Sequence, residues 1–379
     1  MSQRTAWLGV LIVLGGWSAG AFHASGAASK SVTPLELGAA APDFALPGVD
    51  GKTYQLADFA AAKVLVVLFT CNHCPTAQAY EERILQLHAD FKDRGVALVA
   101  ISPNDPLAVR LDELGYTDVS DSLEDMKIRA KDRGFGFPYL YDGETQAASR
   151  AFGVLATPHV FIFDSSRQLR YQGRIDDSDV GVVKSHDTRN AIEALLAGRP
   201  VPVATTRVFG CTTKWSDKRP SAVESLAKWD AEEVSVETID EAGVRKLVQN
   251  DSPNLRLINV WATWCIPCVE ELPELVTISR MYRKRKFETI TISLDDPKER
   301  DAVLKRLQEK HVSATNYLFN SDDRDAFASA LDKQWPGPVP YTILVAPGGK
   351  ILYRKHDTLD PMELKKAIVG HLGRTYASR

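Results

Sequence analysis

Residues 67–78 read VLFTCNHCPTAQ: an apolar run that ends in two cysteines, Cys71 and Cys74, separated by two residues and followed by a proline. A C-x-x-C pair serves as a metal clip, a haem attachment site, a structural disulfide or a redox dithiol. The surrounding chain narrows the choice. Covalent haem needs histidine directly after the second cysteine, and Pro75 stands there. A second pair, Cys265 and Cys268, is followed by Val269, and it lies too far along the chain to share a zinc-ribbon site with the first. His73, His159 and His186 remain as residues that could complete a copper or zinc site with Cys71 and Cys74.

The chain compared with itself shows a long-period duplication. KVLVVLFTCNHCP (63–75) parallels LRLINVWATWCIPC (255–268), each an apolar, β-branched run ending at the cysteines and followed by a helical pattern. Tyr80, Ile84, Leu87 and Phe91 carry that pattern in the first copy, and Leu272, Leu275, Ser279 and Tyr282 in the second. TPHVFIFDSSRQLRYQG (157–173) likewise parallels VPYTILVAPGGKILYRK (339–355), each a proline followed by a hairpin with Ser-Ser-Arg or Pro-Gly-Gly at its turn. Helical segments follow at Asp187–Ala197 and Pro361–Leu372. The first copy is roughly a dozen residues longer between its cysteines and its proline, and the extra residues are expected in a loop within 103–136. Residues 201–231, rich in Pro, Thr and Ser, read as a linker.

A chain of 379 residues with 44% hydrophobic and 25% charged residues is expected to form two globular domains, and its net charge of -3 gives no reason to expect nucleic acid or an acidic membrane as partner. Arg4, an apolar segment from Ala6 to Trp17 and the small-residue stretch 24–28 have the three zones of an export signal covering residues 1–28. The expected location is therefore the periplasm or cell envelope, with no membrane association beyond that signal. Five cysteines are too few to staple so large an exported fold, which points to thiols placed for chemistry.

Strand, C-x-x-C, helix, then a proline opening a hairpin is the outline of the thioredoxin fold, and it occurs twice. Residues 36–200 resemble the AhpC/TSA (redoxin) family through GAAAPDFALPGVDGKTYQLADF, VLFTCNHCP and ATPHVFIFD; residues 232–373 resemble TlpA-like thiol-disulfide oxidoreductases through INVWATWCIPCVEELPEL and GPVPYTILVAPGGKI. The resemblance implies an α/β architecture of two tandem thioredoxin-like domains, each a central mixed sheet flanked by helices. It also implies a dithiol at the start of the first long helix of each domain, and cis prolines at Pro158 and Pro340 that hold a substrate strand beside the sulfurs.

A thiolate at a helix N-terminus is stabilised, which makes Cys71 and Cys265 the expected nucleophiles and Cys74 and Cys268 their resolving partners. Pro267 inside the second pair resembles thioredoxin, whereas His73 inside the first resembles disulfide isomerases and DsbA-type oxidants. An imidazolium beside a thiolate makes the disulfide more oxidising, so electrons are expected to run from Cys265/Cys268 to Cys71/Cys74. Trp264 is expected to shield the second dithiol and shape its docking surface, and Cys211 to be either a third redox thiol or a buried bystander. The buried aspartate that thioredoxins carry six residues before the first cysteine is replaced by Leu65 and Asn259, so proton handling falls to water or another group, with Glu270 and Glu271 as candidates that also read as surface carboxylates of a helix first turn.

These residues imply an exported thiol-disulfide oxidoreductase that acts on protein thiols and disulfides, draws on an upstream thiol reductant and needs no organic cofactor. Two other readings stay open. One is a thiol peroxidase with Cys74 on the peroxidatic position and the second domain as its reductant; the other is a metal-binding chaperone using Cys71, His73 and Cys74.

Overall fold

The computed structural model describes residues 32–376, and the segment read as an export signal lies outside them. The first domain is built from β1 (Ala45–Pro47), β2 (Thr53–Gln55), β3 (Val64–Phe69), α1 (Pro75–Phe91), β4 (Val96–Ser102), α2 (Leu123–Arg133), β5 (Tyr139–Tyr141), α3 (Ala147–Phe152), β6 (Ala156–Thr157), β7 (His159–Phe163), β8 (Leu169–Gly173) and α4 (Asp187–Leu196). Its main sheet has the order β5-β4-β3-β7-β8, with β3 parallel to β4 and antiparallel to β7. β3 is buried along its whole length because helices cover both faces, which is why its sequence is an unbroken apolar run. Its side chains alternate between them. Val64, Val66 and Leu68 pack with Tyr80, Ile84, Leu87 and Phe91 of α1, while Leu65, Val67 and Phe69 pack with Phe152 of α3.

β9 (Cys211–Thr212) and α5 (Arg219–Asp230) follow, and then the second domain: β10 (Glu237–Ile239), α6 (Glu241–Gln249), β11 (Leu255–Trp261), α7 (Ile266–Tyr282), β12 (Phe287–Ser293), α8 (Arg300–Glu309), β13 (Thr315–Phe319), α9 (Arg324–Leu331), β14 (Tyr341–Val345), β15 (Ile351–His356) and α10 (Pro361–Leu372). Its sheet runs β10-β13-β12-β11-β14-β15. Leu255 and Leu257 of β11 face α7 and α10, and Ile258 and Val260 face α6 and α9. Both domains are therefore mixed sheets flanked by helices, with a duplicated strand-helix unit followed by a hairpin. Among the described residues no helix is long and apolar enough to cross a membrane.

Two stretches differ from their sequence reading. Residues 103–136 form two short 3-10 turns and α2, and they carry the contact with the second domain: Tyr282 donates to the Thr117 carbonyl (2.9 Å), Arg285 to that of Gly115 (2.6 Å), and Arg374 pairs with Asp118 (2.6 Å). Apolar Val109 and Leu114 join the core of the second domain, which gives this polar insert a buried side that its periodicity hid. The segment expected to be a linker is bound to the first domain. Gln172 N–H donates to the Ala204 carbonyl (3.0 Å), Thr206 N–H donates back to that of Gln172 (3.1 Å), and β9 pairs antiparallel with β6. A two-residue strand and a strap along a sheet edge leave no periodic pattern to read.

Candidate active site

Each domain brings its cysteines to the junction between its central strand and first long helix, opposite a proline. The Thr157-Pro158 and Val339-Pro340 bonds are both cis. Phe69 pairs with His159, the residue after Pro158, and Val260 pairs with Tyr341, the residue after Pro340, so Phe69 and Val260 are equivalent positions. Five residues beyond each lie Cys74 and Cys265; two residues beyond lie Cys71 and Ala262.

The two C-x-x-C motifs are thus offset by three residues in the fold, about one helical turn. Cys74 is the N-cap of α1, with its sulfur accepting from Ala77 N–H (3.5 Å), and Cys265 is the N-cap of α7, accepting from Cys268 N–H (3.3 Å). Cys71, expected as the nucleophile, sits in the loop before the helix, and Cys74, expected to resolve it, holds the capping position. The cause is local. Proline lacks an N–H and fits best in the first turn, so Pro75 directly after Cys74 starts α1 there, whereas Pro267 stands one position further in and α7 starts at Ile266.

The first site is closed. Cys71 and Cys74 are buried, and Cys211, on β9, packs against them half-buried, so all three free thiols of the described residues meet at one place. Cys71 Sγ lies 3.1 Å from Thr157 Oγ1, and Cys74 Sγ lies 3.3 Å from the Thr157 carbonyl oxygen, to which its protonated form donates. His73 reaches Asp121 of the insert through Nδ1 at 2.5 Å, both side chains being buried. Asp121 also accepts from the N–H groups of Asn72 (2.8 Å) and His73 (3.1 Å) and from Asn104 Nδ2 (2.7 Å).

Charge in this pocket settles on Cys74. Burial opposes its thiolate, but hydrogen bonds from the Cys211 and Cys71 thiols, the nearby His73 and the Ala77 N–H outweigh burial and hold Cys74 well below the usual thiol range. Burial and the hydrogen bond to Cys74, with Asp121 adding to both, push Cys71 up. Burial works against a charged His73, yet the Asp121 carboxylate overrides it and raises its pKa. Burial likewise disfavours ionised Asp121, and His73 reverses the balance and lowers it.

Cys71, His73 and Asp121 are close enough together to be considered as metal ligands. The oxygens of Asp121 are already committed to four donors, however, so the arrangement fits a hydrogen-bonded ion pair better than a cation cage. His159 is held neutral by burial, at about 3, and accepts from Leu155 N–H at Nδ1. His186 is exposed at the start of α4 and is not among these ligands.

At the second site the cysteines are buried as well, Cys265 at 6% and Cys268 at 0% exposure, but their neighbours are not. Cys265 and Cys268 form a disulfide beside Trp264 and Ile266, which are 63% and 72% exposed. Glu270 is exposed, but Glu271 is buried: its carboxylate accepts from Asn259 Nδ2 (2.9 Å) and Leu359 N–H (2.9 Å), and burial raises its pKa. Asn259 and Glu271 therefore act as one unit, with the acid supplied from α7 one turn beyond Cys268. Sequence reasoning ranked Glu271 with surface carboxylates because its burial depends on the loop around Leu359.

Two capped cysteines, each facing a cis proline on a thioredoxin-like sheet, define a protein of the thioredoxin-fold redox class. Residues 37–172 match the AhpC/TSA family and residues 230–368 match Redoxin. A Mycobacterium tuberculosis protein that bears the name peroxiredoxin is 32% identical over 127 residues, covering 32% of this chain and 80% of that protein. The thiol-disulfide oxidoreductase ResA of Geobacillus thermodenitrificans is 26% identical over 111 residues, covering 29% of this chain and 59% of its own length. Among solved structures, a hypothetical protein of Sinorhizobium meliloti is 34% identical with a TM-score of 0.44, covering 48% of this chain and 97% of that one. The chain belongs to the redoxin/AhpC-TSA family and carries two such domains in tandem. It spans about half the length of the ResA relatives it matches.

Proposed function

We propose that this is an exported thiol-disulfide oxidoreductase whose two sites differ in character: a Cys265/Cys268 couple bordered by exposed apolar residues that exchanges with protein disulfides, and a more oxidising site centred on Cys74. The observation that carries the reading is the contrast between the sites. Cys265 caps α7 beside exposed Trp264 and Ile266, an apolar surface suited to a docking protein, while His73 and the α1 N-terminus stabilise the thiolate of buried Cys74. The export part of the proposal rests on residues 1–28 alone.

Electrons in this scheme pass from the second site to the first. They do not pass directly within one chain as it stands. Cys265 lies at the N-terminal end of α7, whereas Tyr282 and Arg285 touch the first domain at the other end, about 25 Å away for a helix of this length. Transfer therefore runs between chains or through a diffusible thiol.

A second reading, peroxide reduction at Cys74, is favoured by one feature. A fully buried capping cysteine followed by proline suits a small oxidant, and one relative of the chain bears the name peroxiredoxin. Turnover with insulin disulfides tests the first reading: Cys265→Ser is expected to abolish it and Cys74→Ser to leave it. Insulin reduction that survives Cys265→Ser would contradict the first, and peroxide consumption by a wild-type chain that does not reduce insulin would favour the second.

A further inference from the structure

An edge strand with unpaired backbone groups is a template for an incoming strand. β6 runs into cis Pro158 and has such an edge, and the chain fills it with its own β9, which sets Cys211 opposite Thr157 and Thr212 opposite Ala156. The approach is close. A Cβ on Gly210 would fall 2.1 Å from the Thr157 carbonyl oxygen, and its φ of +143° favours glycine in any case. Beyond Cys211 the strand is pinned by Lys214, whose N–H donates to Asn104 Oδ1 (2.9 Å) and whose carbonyl accepts from Gln146 Nε2 (2.9 Å). Among the described residues of the second domain, no strand pairs with the segment before Pro340.

We propose that the working disulfide of the first site is Cys74–Cys211, with β9 acting as a built-in partner strand and Cys211 as the sulfur presented to other molecules. This deepens the thiol-disulfide reading above and rests on it. Cys211 is half-buried and opens on a cavity of about 310 Å³ shared with His73, Lys214, Lys284 and Arg285, whereas Cys71 is 3% exposed and tied to Thr157 Oγ1. The hydrogen bond to Cys74 and burial push the Cys211 thiol up as they do that of Cys71, and at Cys211 the Lys214 ammonium works against them.

The reductant is a dithiol, such as Cys265/Cys268 of another copy. Its first thiolate attacks Cys211 Sγ, the Cys74–Cys211 bond breaks, and Cys74 leaves as the thiolate that Ala77 N–H and His73 stabilise. A leaving thiol of low pKa departs fastest. The second thiolate of the partner then attacks its own sulfur in the mixed disulfide, and Cys211 leaves and takes a proton from solvent. Two electrons move: the partner dithiol becomes a disulfide, and Cys74 and Cys211 become a thiolate and a thiol. The same steps in reverse, with a low-molecular-weight disulfide, oxidise the pair.

Full-length protein is reduced, oxidised with glutathione disulfide, alkylated and digested without reduction, and its linkages are read by mass spectrometry. The expected product joins the Cys74 and Cys211 peptides and leaves Cys71 alkylated. Cys71→Ser is expected to keep that linkage, and Cys211→Ser to leave the first site without it. A Cys71–Cys74 linkage with Cys211 alkylated, or no linkage at all to Cys211, would overturn the inference. Insulin reduction by the same samples reports the second site separately: its loss in the wild type sinks the broader reading, while its survival without a Cys74–Cys211 linkage sinks only this one.

Discussion

Asp121→Ala is expected to cost the first domain about 3–5 kcal/mol in a denaturant titration, because it strips the partner from a buried imidazolium and leaves three further donors without an acceptor. The loss depends on pH. Asp121 is lowered, so its share of the stability is present above the unfolded carboxyl value and disappears as pH falls through the depressed folded one. His73 is raised, so its share is full below the unfolded imidazole value and disappears as pH rises through the higher folded one. The gap between wild type and variant is therefore widest from weakly acidic to near-neutral pH. A gap under about 1 kcal/mol, the size of an ordinary substitution, would show that the pair is not holding the insert to the site.

Cys74→Ser is expected to remove the thiolate of the first site altogether. In a Cys265→Ser/Cys268→Ser background, the ultraviolet absorbance of one thiolate should persist well below the free-thiol value of about 8.5. It should vanish with Cys74→Ser. Cys71→Ala and Cys211→Ala should keep the signal but move its titration to higher pH, since each deletes a donor to the Cys74 sulfur. His73→Ala should move it the same way by removing the nearby cation. A signal that survives Cys74→Ser and disappears with Cys71→Ser would restore Cys71 as the nucleophile.

These two residues also mark where sequence reading succeeded and where it stopped. The duplicated strand, helix and hairpin were legible because β3 and β11 are buried on both faces and read as apolar runs, and because Tyr80, Ile84, Leu87 and Phe91 repeat at helical spacing. The prolines at 158 and 340 were legible through matched spacing, and both are cis. The equivalence of the two cysteine motifs was misread, since identical spacing suggested identical placement. Pro75 held the corrective signal: a helix that opens on proline makes the residue before it the cap. Asp121 left no signal, because it meets His73 only through the fold of the insert, 48 residues along the chain. Cys211 looked isolated for the same reason, its place at Cys74 being set by a two-residue strand and one close glycine contact.

The central claim is that the two sites are unequal and that the Cys74 site is the oxidising end. Stabilising the Cys74 thiolate favours the reduced form of its couple, and the Cys265/Cys268 pair carries no such cation within its motif. The direct measurement equilibrates the intact chain in graded dithiol/disulfide buffers and quantifies alkylation at each site, which gives both reduction potentials in one protein. The first site is expected to be the more oxidising by roughly 90–150 mV, the span separating thioredoxin from isomerase and DsbA-type couples. Equal potentials, or a second site more oxidising than the first, would contradict the account.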